Sequence, residues 1–217
     1  MKKLLLMLSF SLPASGVIKV NDEISVINVF NQSIDVSKES LIAKTAWVKE
    51  QDMLVLVIAT SGGVNRDVPK DFDEIIDIKK SKELSLSISV KLWNVGDPTE
   101  YKIKRESSVL HVSLLTLRGP ILIVDAFADM NTAKGIRGLA YAPRVQGIRG
   151  GAVVSAFAYS EPHKVRVRQN KTLASLKGMA VGIGNQRFDY KTKKVMAYSK
   201  RSIRGKGYDL TLALSIY

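Results

Sequence analysis

Gly-Ile-Arg-Gly stands at residues 135–138 and again at 147–150. Two chemistries fit such a pattern. Glycine adopts left-handed backbone without steric cost, so each copy reads as a tight turn. Glycine also lets backbone amides approach phosphate oxygens, which arginine grips with two N–H donors at once. The two readings are compatible if the turns present Lys134, Arg137, Arg144 and Arg149 outward. A second cationic element is Lys164-Val165-Arg166-Val167-Arg168. On a strand, where side chains alternate between faces, it sets three cations on one face and two valines on the other. Residues 190–208 add Lys193, Lys194, Arg201 and Arg204, interleaved with Tyr190, Tyr198 and Tyr208. Aromatics among cations either stack on unpaired bases or pack within a sheet. These eleven cations are the candidate nucleic-acid-binding residues.

Charge is segregated along the chain. The 217 residues carry 33 Lys/Arg and 20 Asp/Glu, a net +13. Residues 130–217 hold 17 of the cations and three acids (Glu161, Asp189, Asp209), a net +14, while residues 1–129 hold 16 cations and 17 acids, a net −1. A one-sided basic block favours a polyanionic partner: nucleic acid first, with single-stranded RNA favoured, and an anionic membrane surface second. Self-association into an oligomer is compatible with the same composition.

Enzymatic signals are weak. There is no cysteine, so disulfides and thiolate zinc sites are excluded, and the two histidines, His111 and His163, are far apart in sequence. No phosphate-binding GxxxxGK[ST] loop or G-x-S-x-G elbow occurs, and "GIGNQR" (182–187) lacks the third glycine of a dinucleotide fingerprint. Asp125 and Asp129 are four residues apart with no third acid close by, a spacing that reads as structural. The expectation is a non-enzymatic protein with no cofactor and no metal.

The first sixteen residues, "MKKLLLMLSFSLPASG", read in two ways. Lys2 and Lys3, the apolar run Leu4–Leu12, and Ala14 and Gly16 before a cut suit a secretory signal. Leu4, Leu6, Leu8, Phe10 and Leu12 also alternate as a first strand would. The run is too short to span a bilayer as a helix. Removal of the segment would make this a periplasmic or secreted protein, binding a polyanionic envelope component or belonging to a surface assembly.

Strand patterns dominate the rest. "EISVINVF" (23–30), "MLVLVIAT" (53–60), "LSLSISVKLW" (84–93), "SVLHVSLLTL" (108–117), "PILIVDAFAD" (120–129), "GAVVSAFAYS" (151–160), "KVRVRQN" (164–170), "LKGMAVGIG" (176–184), "KKVMAYSK" (193–200) and "YDLTLALSIY" (208–217) make about ten strands. In 84–93 the serines alternate with leucine, isoleucine and valine, predicting a half-buried strand. Residues 120–129 are apolar on both faces, predicting a central one. Two short helices are expected, at 35–44 behind a capping Asp35 and at 69–80, where Pro69 and Asp71…Glu74 resemble a capping box. Many short strands with few helices predict one all-β domain over 17–217, a β-sandwich of jelly-roll form.

With these elements placed, the chain resembles the 30K-type movement proteins of plant viruses. That family shares a strand ending in Leu-x-Asp, a glycine about a dozen residues on, and further strands. Here "LIVD" (122–125) supplies Asp125, one residue out of step, and Gly135 and Gly138 supply the glycine. "LAYAPRVQGIRGGAVVSAFAYSEP" (139–162) resembles the strands that follow, and "VINVFNQSIDVSKESLI" (26–42) the upstream segment. The resemblance implies a jelly-roll-like core, binding of single-stranded nucleic acid, and action at plasmodesmata in a host cell, with Asp125 and Gly138 as motif residues.

Overall fold

The computed structural model describes residues 17–217 except 36, 62–65, 81–82, 106–108, 120, 135–138, 161–164, 169, 187–195 and 200–205. At 66–67, 131–134, 139, 165–166, 196–199 and 206–209 it describes the backbone alone. The described residues form strands and no helix. A short β1 (Ile18–Lys19) precedes β2 (Ser25–Ile34), β3 (Ser40–Lys44), β4 (Met53–Ser61), β5 (Arg66–Asp67), β6 (Asp73–Lys80), β7 (Leu84–Leu92), β8 (Glu100–Arg105) and β9 (Val109–Arg118). The second half holds β10 (Ile123–Lys134), β11 (Leu139–Tyr141), β12 (Ala152–Tyr159), β13 (Val165–Arg168), β14 (Lys171–Ser175), β15 (Met179–Asn185), β16 (Met196–Ser199) and β17 (Lys206–Ile216).

Four antiparallel sheets result, ordered β1-β2-β9-β4-β7-β6, β3-β8-β5, β10-β17-β12-β15-β14 and β11-β16-β13. Leaving β1 aside, adding eight to every strand number of the first two orders gives the last two. The chain is one eight-stranded sandwich built twice. Register confirms it: Met53 pairs with Leu117, and 99 residues further on in both strands Ala152 pairs with Ile216. A β-bulge separates Val26 from Asn28 against β9, and the matching bulge separates Ile123 from Asp125 against β17. A second bulge, between Glu74 and Ile76, recurs between Thr172 and Ala174. Bulges re-aim a strand at a defined point, so two in matching places mark a shared design.

The turn entering the third strand of each repeat is duplicated to the hydrogen bond. Asp52 N donates to Lys49 O, Gln51 N to Trp93 O, and Trp93 N to Asp52 O. In the second repeat Gly151 N donates to Ile148 O, Gly150 N to Gln186 O, and Gln186 N to Gly151 O. Gln51 (φ 69°) and Gly150 (φ 88°) both occupy the left-handed region. Glycine suits that conformation, and at Gly151 a Cβ would stand 2.4 Å from the Ile216 carbonyl oxygen. The second Gly-Ile-Arg-Gly is thus a turn, as its composition predicts.

The two large sheets pack face to face. Val55, Val57, Leu86, Ile88 and Leu115 of the first repeat share a core with Val154, Ala156, Val181, Leu212 and Leu214 of the second. Strand β10 lies beside β6, and β14 beside β2, so the sheets stack in opposite order, as an internal twofold requires. Each small sheet covers the other face of its own large sheet. Leu41, Tyr101 and Ile103 pack on Leu54, Leu56 and Leu114, while Ala140 and Val167 pack on Val153, Phe157 and Ala213.

This four-layer arrangement corrects several expectations. Strand β7 is not half-buried: Ser85, Ser87 and Ser89 are as covered as Leu84, Leu86 and Ile88. Strand β10 is an edge, not a central strand. Both expected helices are strands. At 35–44, Asp35 caps only a turn, accepting from Ser37 N and Oγ, after which buried Leu41 and Ala43 alternate with exposed Ile42 and Lys44. At 69–80, Phe72 N donates to Pro69 O, and Asp71 pairs with Lys91 at 3.2 Å instead of capping. In both places burial against a sheet overrides a local capping pattern.

Candidate nucleic-acid interface

The cationic ribbon of the sequence forms part of the outermost sheet of the second repeat. Val167 is buried beneath it and Arg168 is exposed, so the alternation holds where side chains are described. Pairing gives three rows across the three strands, Leu139–Tyr198–Arg166, Ala140–Ala197–Val167 and Tyr141–Met196–Arg168. Directly paired residues share a face. Tyr141, 41% exposed, therefore lies in one row with Arg168. Sequence reasoning singled out three other tyrosines and missed this one. Its signal was the alternation Leu-Ala-Tyr, too short to read as a strand by itself.

Arg144 and Arg149 are exposed in the connection from β11 to β12. Among the described residues no ion pair engages Arg144 or Arg168. Lys134 ends β10, its backbone paired with that of Lys206. Arg166 is placed by its backbone on β13. Arg137, Lys164, Lys193, Lys194, Arg201, Arg204 and Gly138 lie outside the described residues. Each of those cations nevertheless belongs to a connection that starts or ends at a strand of this one sheet. The sheet β11-β16-β13 joins strands from distant parts of the chain, and of the candidates it carries Arg166 and Arg168.

Asp125 has a different task. It follows the β10 bulge, and its Oδ2 accepts from Gln146 N at 2.7 Å. Asn28, at the matching position of the first repeat, donates its Nδ2 to Lys44 O at 3.3 Å. Both side chains fasten the first long strand of their repeat to backbone beyond the next strand or at its end. Asp129 Oδ1 accepts from Met130 N. No group of three metal-ligating side chains occurs among the described residues.

The first repeat offers an internal comparison. Residues 17–118 contain 14 Lys/Arg and 15 Asp/Glu, whereas residues 119–217 contain 17 Lys/Arg and five Asp/Glu. In the first repeat's outer sheet Lys44 Nζ meets Glu100 Oε1 at 2.6 Å, and the row Ser40–Lys104–Asp67 sets an acid opposite a cation. None of the three full rows of the second repeat's outer sheet contains an acid. No protein-family model, curated protein or solved structure matches the chain.

Proposed function

We propose that the protein is a non-enzymatic nucleic-acid-binding protein that holds single-stranded RNA through phosphate contacts of its second repeat. The observation that carries this reading is the separation of charge between two copies of one scaffold. The repeats have similar numbers of cations, 14 and 17, but 15 and five acids. A basic surface serving solubility or folding would not need to be confined to one of two matching sandwiches. Loss of acids leaves positive potential over the outer sheet, and Tyr141, in one row with Arg168, offers a plane on which a base can stack.

Each repeat interleaves its strands 1-8-3-6 and 2-7-4, with the fifth strand beside the sixth. We read this as a jelly roll whose fifth strand has changed sheets. That reading supports the resemblance to 30K-type movement proteins, and with it a role in carrying single-stranded nucleic acid at plasmodesmata.

The test is fluorescence anisotropy of a labelled single-stranded RNA across a salt series. The log of the association constant should fall linearly with log salt, with a slope of about −0.7 per phosphate contacted. Arg144→Glu and Arg168→Glu should each weaken binding. Lys102→Glu, on the exposed face of the first repeat's small sheet, should not. A salt-independent affinity, or equal loss for all three variants, would overturn the proposal.

A further inference from the structure

The duplication is complete except for one strand. In the first repeat, β1 flanks the outer side of β2, with Ile18 opposite Val26 and Lys19 opposite Ser25. The matching positions of the second repeat are Ile123 and Leu122, at the start of β10. Only residues 119–122 separate β9 from β10, and no described strand pairs with the outer side of β10. From Asp125 to Lys134 its register with β17 is unbroken, so the outer edge is regular over ten residues.

The side chains of the two edges differ in the same sense. On β2 the positions matching Ala128, Asp129 and Met130 are Asn31, Gln32 and Ser33. Phe30 packs against the first repeat's own core, while Phe127, its match, is 56% exposed. Leu122 and Met130 are exposed as well. Edge strands are normally guarded by charged residues, proline or a bulge; the described stretch 125–130 has no lysine, proline or bulge, and its charges are Asp125 and Asp129 alone.

We infer that β10 is an interface that pairs antiparallel with β10 of a second copy, joining two large sheets into one. The inference is independent of the nucleic-acid reading. A twofold axis through the sheet keeps every residue on its own face, so each residue opposes one of the same parity. Centring the ladder on Phe127 would set Asp125 opposite Asp129, and centring it on Asp129 would oppose that residue to itself. Centring it on Ala128 avoids both, uses nearly the whole strand, and makes the two Phe127 side chains diagonal neighbours. The β1–β2 pair shows that the fold accommodates an added antiparallel strand at this edge.

The experiment uses the full chain, nuclease-treated and at high salt so that RNA cannot bridge copies. Sedimentation should give a species of twice the 23.9 kDa monomer mass. Phe127→Lys should raise the dimer dissociation constant about tenfold or more. The chain has no cysteine, so Ala128→Cys places a lone thiol at the axis. Opposed residues of an antiparallel pair are about 4.5–5.5 Å apart at Cα, within disulfide range. Mild oxidation should link Ala128→Cys into a dimer and leave Ile42→Cys, on the first repeat's outer sheet, unlinked. A monomer at every concentration would overturn the inference. So would a dimer that is indifferent to Phe127→Lys and not linked through position 128.

Discussion

Arg118 grips Asp52 with two parallel hydrogen bonds, Nε to Oδ1 at 2.9 Å and Nη2 to Oδ2 at 2.7 Å, where the second repeat has Tyr217 and Gly151. The carboxylate is buried and also accepts from Lys49 N, and its side-chain hydrogen bond raises the Arg118 pKa. Arg118 Nη2 further donates to Trp47 O at 2.8 Å. Trp47 is 61% exposed and left-handed at φ 55°. The ion pair therefore holds a loop with left-handed residues at Trp47 and Gln51, the second of which is Gly150 in the matching repeat. Asp52→Ala should destabilise the protein by about 2–3 kcal/mol. Breaking a fully buried pair costs about 3–5 kcal/mol, and Arg118 retains some solvent. A shift in the urea midpoint, with unchanged slope, is the check.

Thr116 and Ser215 occupy matching positions with opposite satisfaction. Thr116 Oγ1 shares a short hydrogen bond with Thr45 Oγ1, while Ser215 Oγ is buried without a partner among the described residues. The buried residues over that face of the second repeat are Ala140, Ala142 and Val145. Thr116→Ala should cost about 1 kcal/mol or more, because Thr45 is left unpaired, whereas Ser215→Ala should be neutral or stabilising. Equal losses in thermal melts of the two variants would contradict this account.

His111 faces the shared core, its Nδ1 bonded to Ser33 Oγ at 2.7 Å. A Cβ on Gly178, from the other repeat, would stand 2.9 Å from its Nε2. Burial pushes its pKa down from 6.5 to about 4. The folded protein thus refuses a proton that the unfolded chain accepts. Its contribution is complete above pH 6.5 and is lost as pH falls toward about 4. The loss amounts to at most about 3 kcal/mol. Leu210 stands at the matching position, so His111→Leu should flatten stability between these pH values. An unchanged slope in denaturation series at pH 7, 6 and 5 would refute the assignment.

Much of the fold was legible because long strands announce themselves. All ten expected strands are present, at Ser25–Ile34 and Met53–Ser61 for example, since β-branched and alternating residues fill pleated, covered surfaces. The two-residue strands β1 and β5 and three-residue β11 are too short to carry a period. The duplication was hidden because the repeats share register and bulges, not residues: Asn28 matches Asp125, Asp52 matches Gly151, and His111 matches Leu210. Apolar residues on both faces of β10 suggested burial, yet Phe127 and Met130 are exposed at an edge. The cations could be read from composition. Which strands share one small sheet depends on strand order, which joins β11, β16 and β13 from distant parts of the chain.

The matching rows Ser40–Lys104–Asp67 and Leu139–Tyr198–Arg166 allow the charge argument to be tested by exchange. Arg166→Asp writes the first repeat's residue into the second, at a strand position already occupied by an acid in the same fold. Folding should therefore be undisturbed. If Arg166 contacts a phosphate, RNA affinity should fall for every sequence alike, and the salt slope should shrink by about one contact. The reciprocal Asp67→Arg should gain little, because the first repeat keeps 14 of its 15 acids. Anisotropy titrations of both variants decide the matter. Affinity unaffected by Arg166→Asp would remove this row from the interface, and equal and opposite effects in the two repeats would show that net charge matters and its place does not.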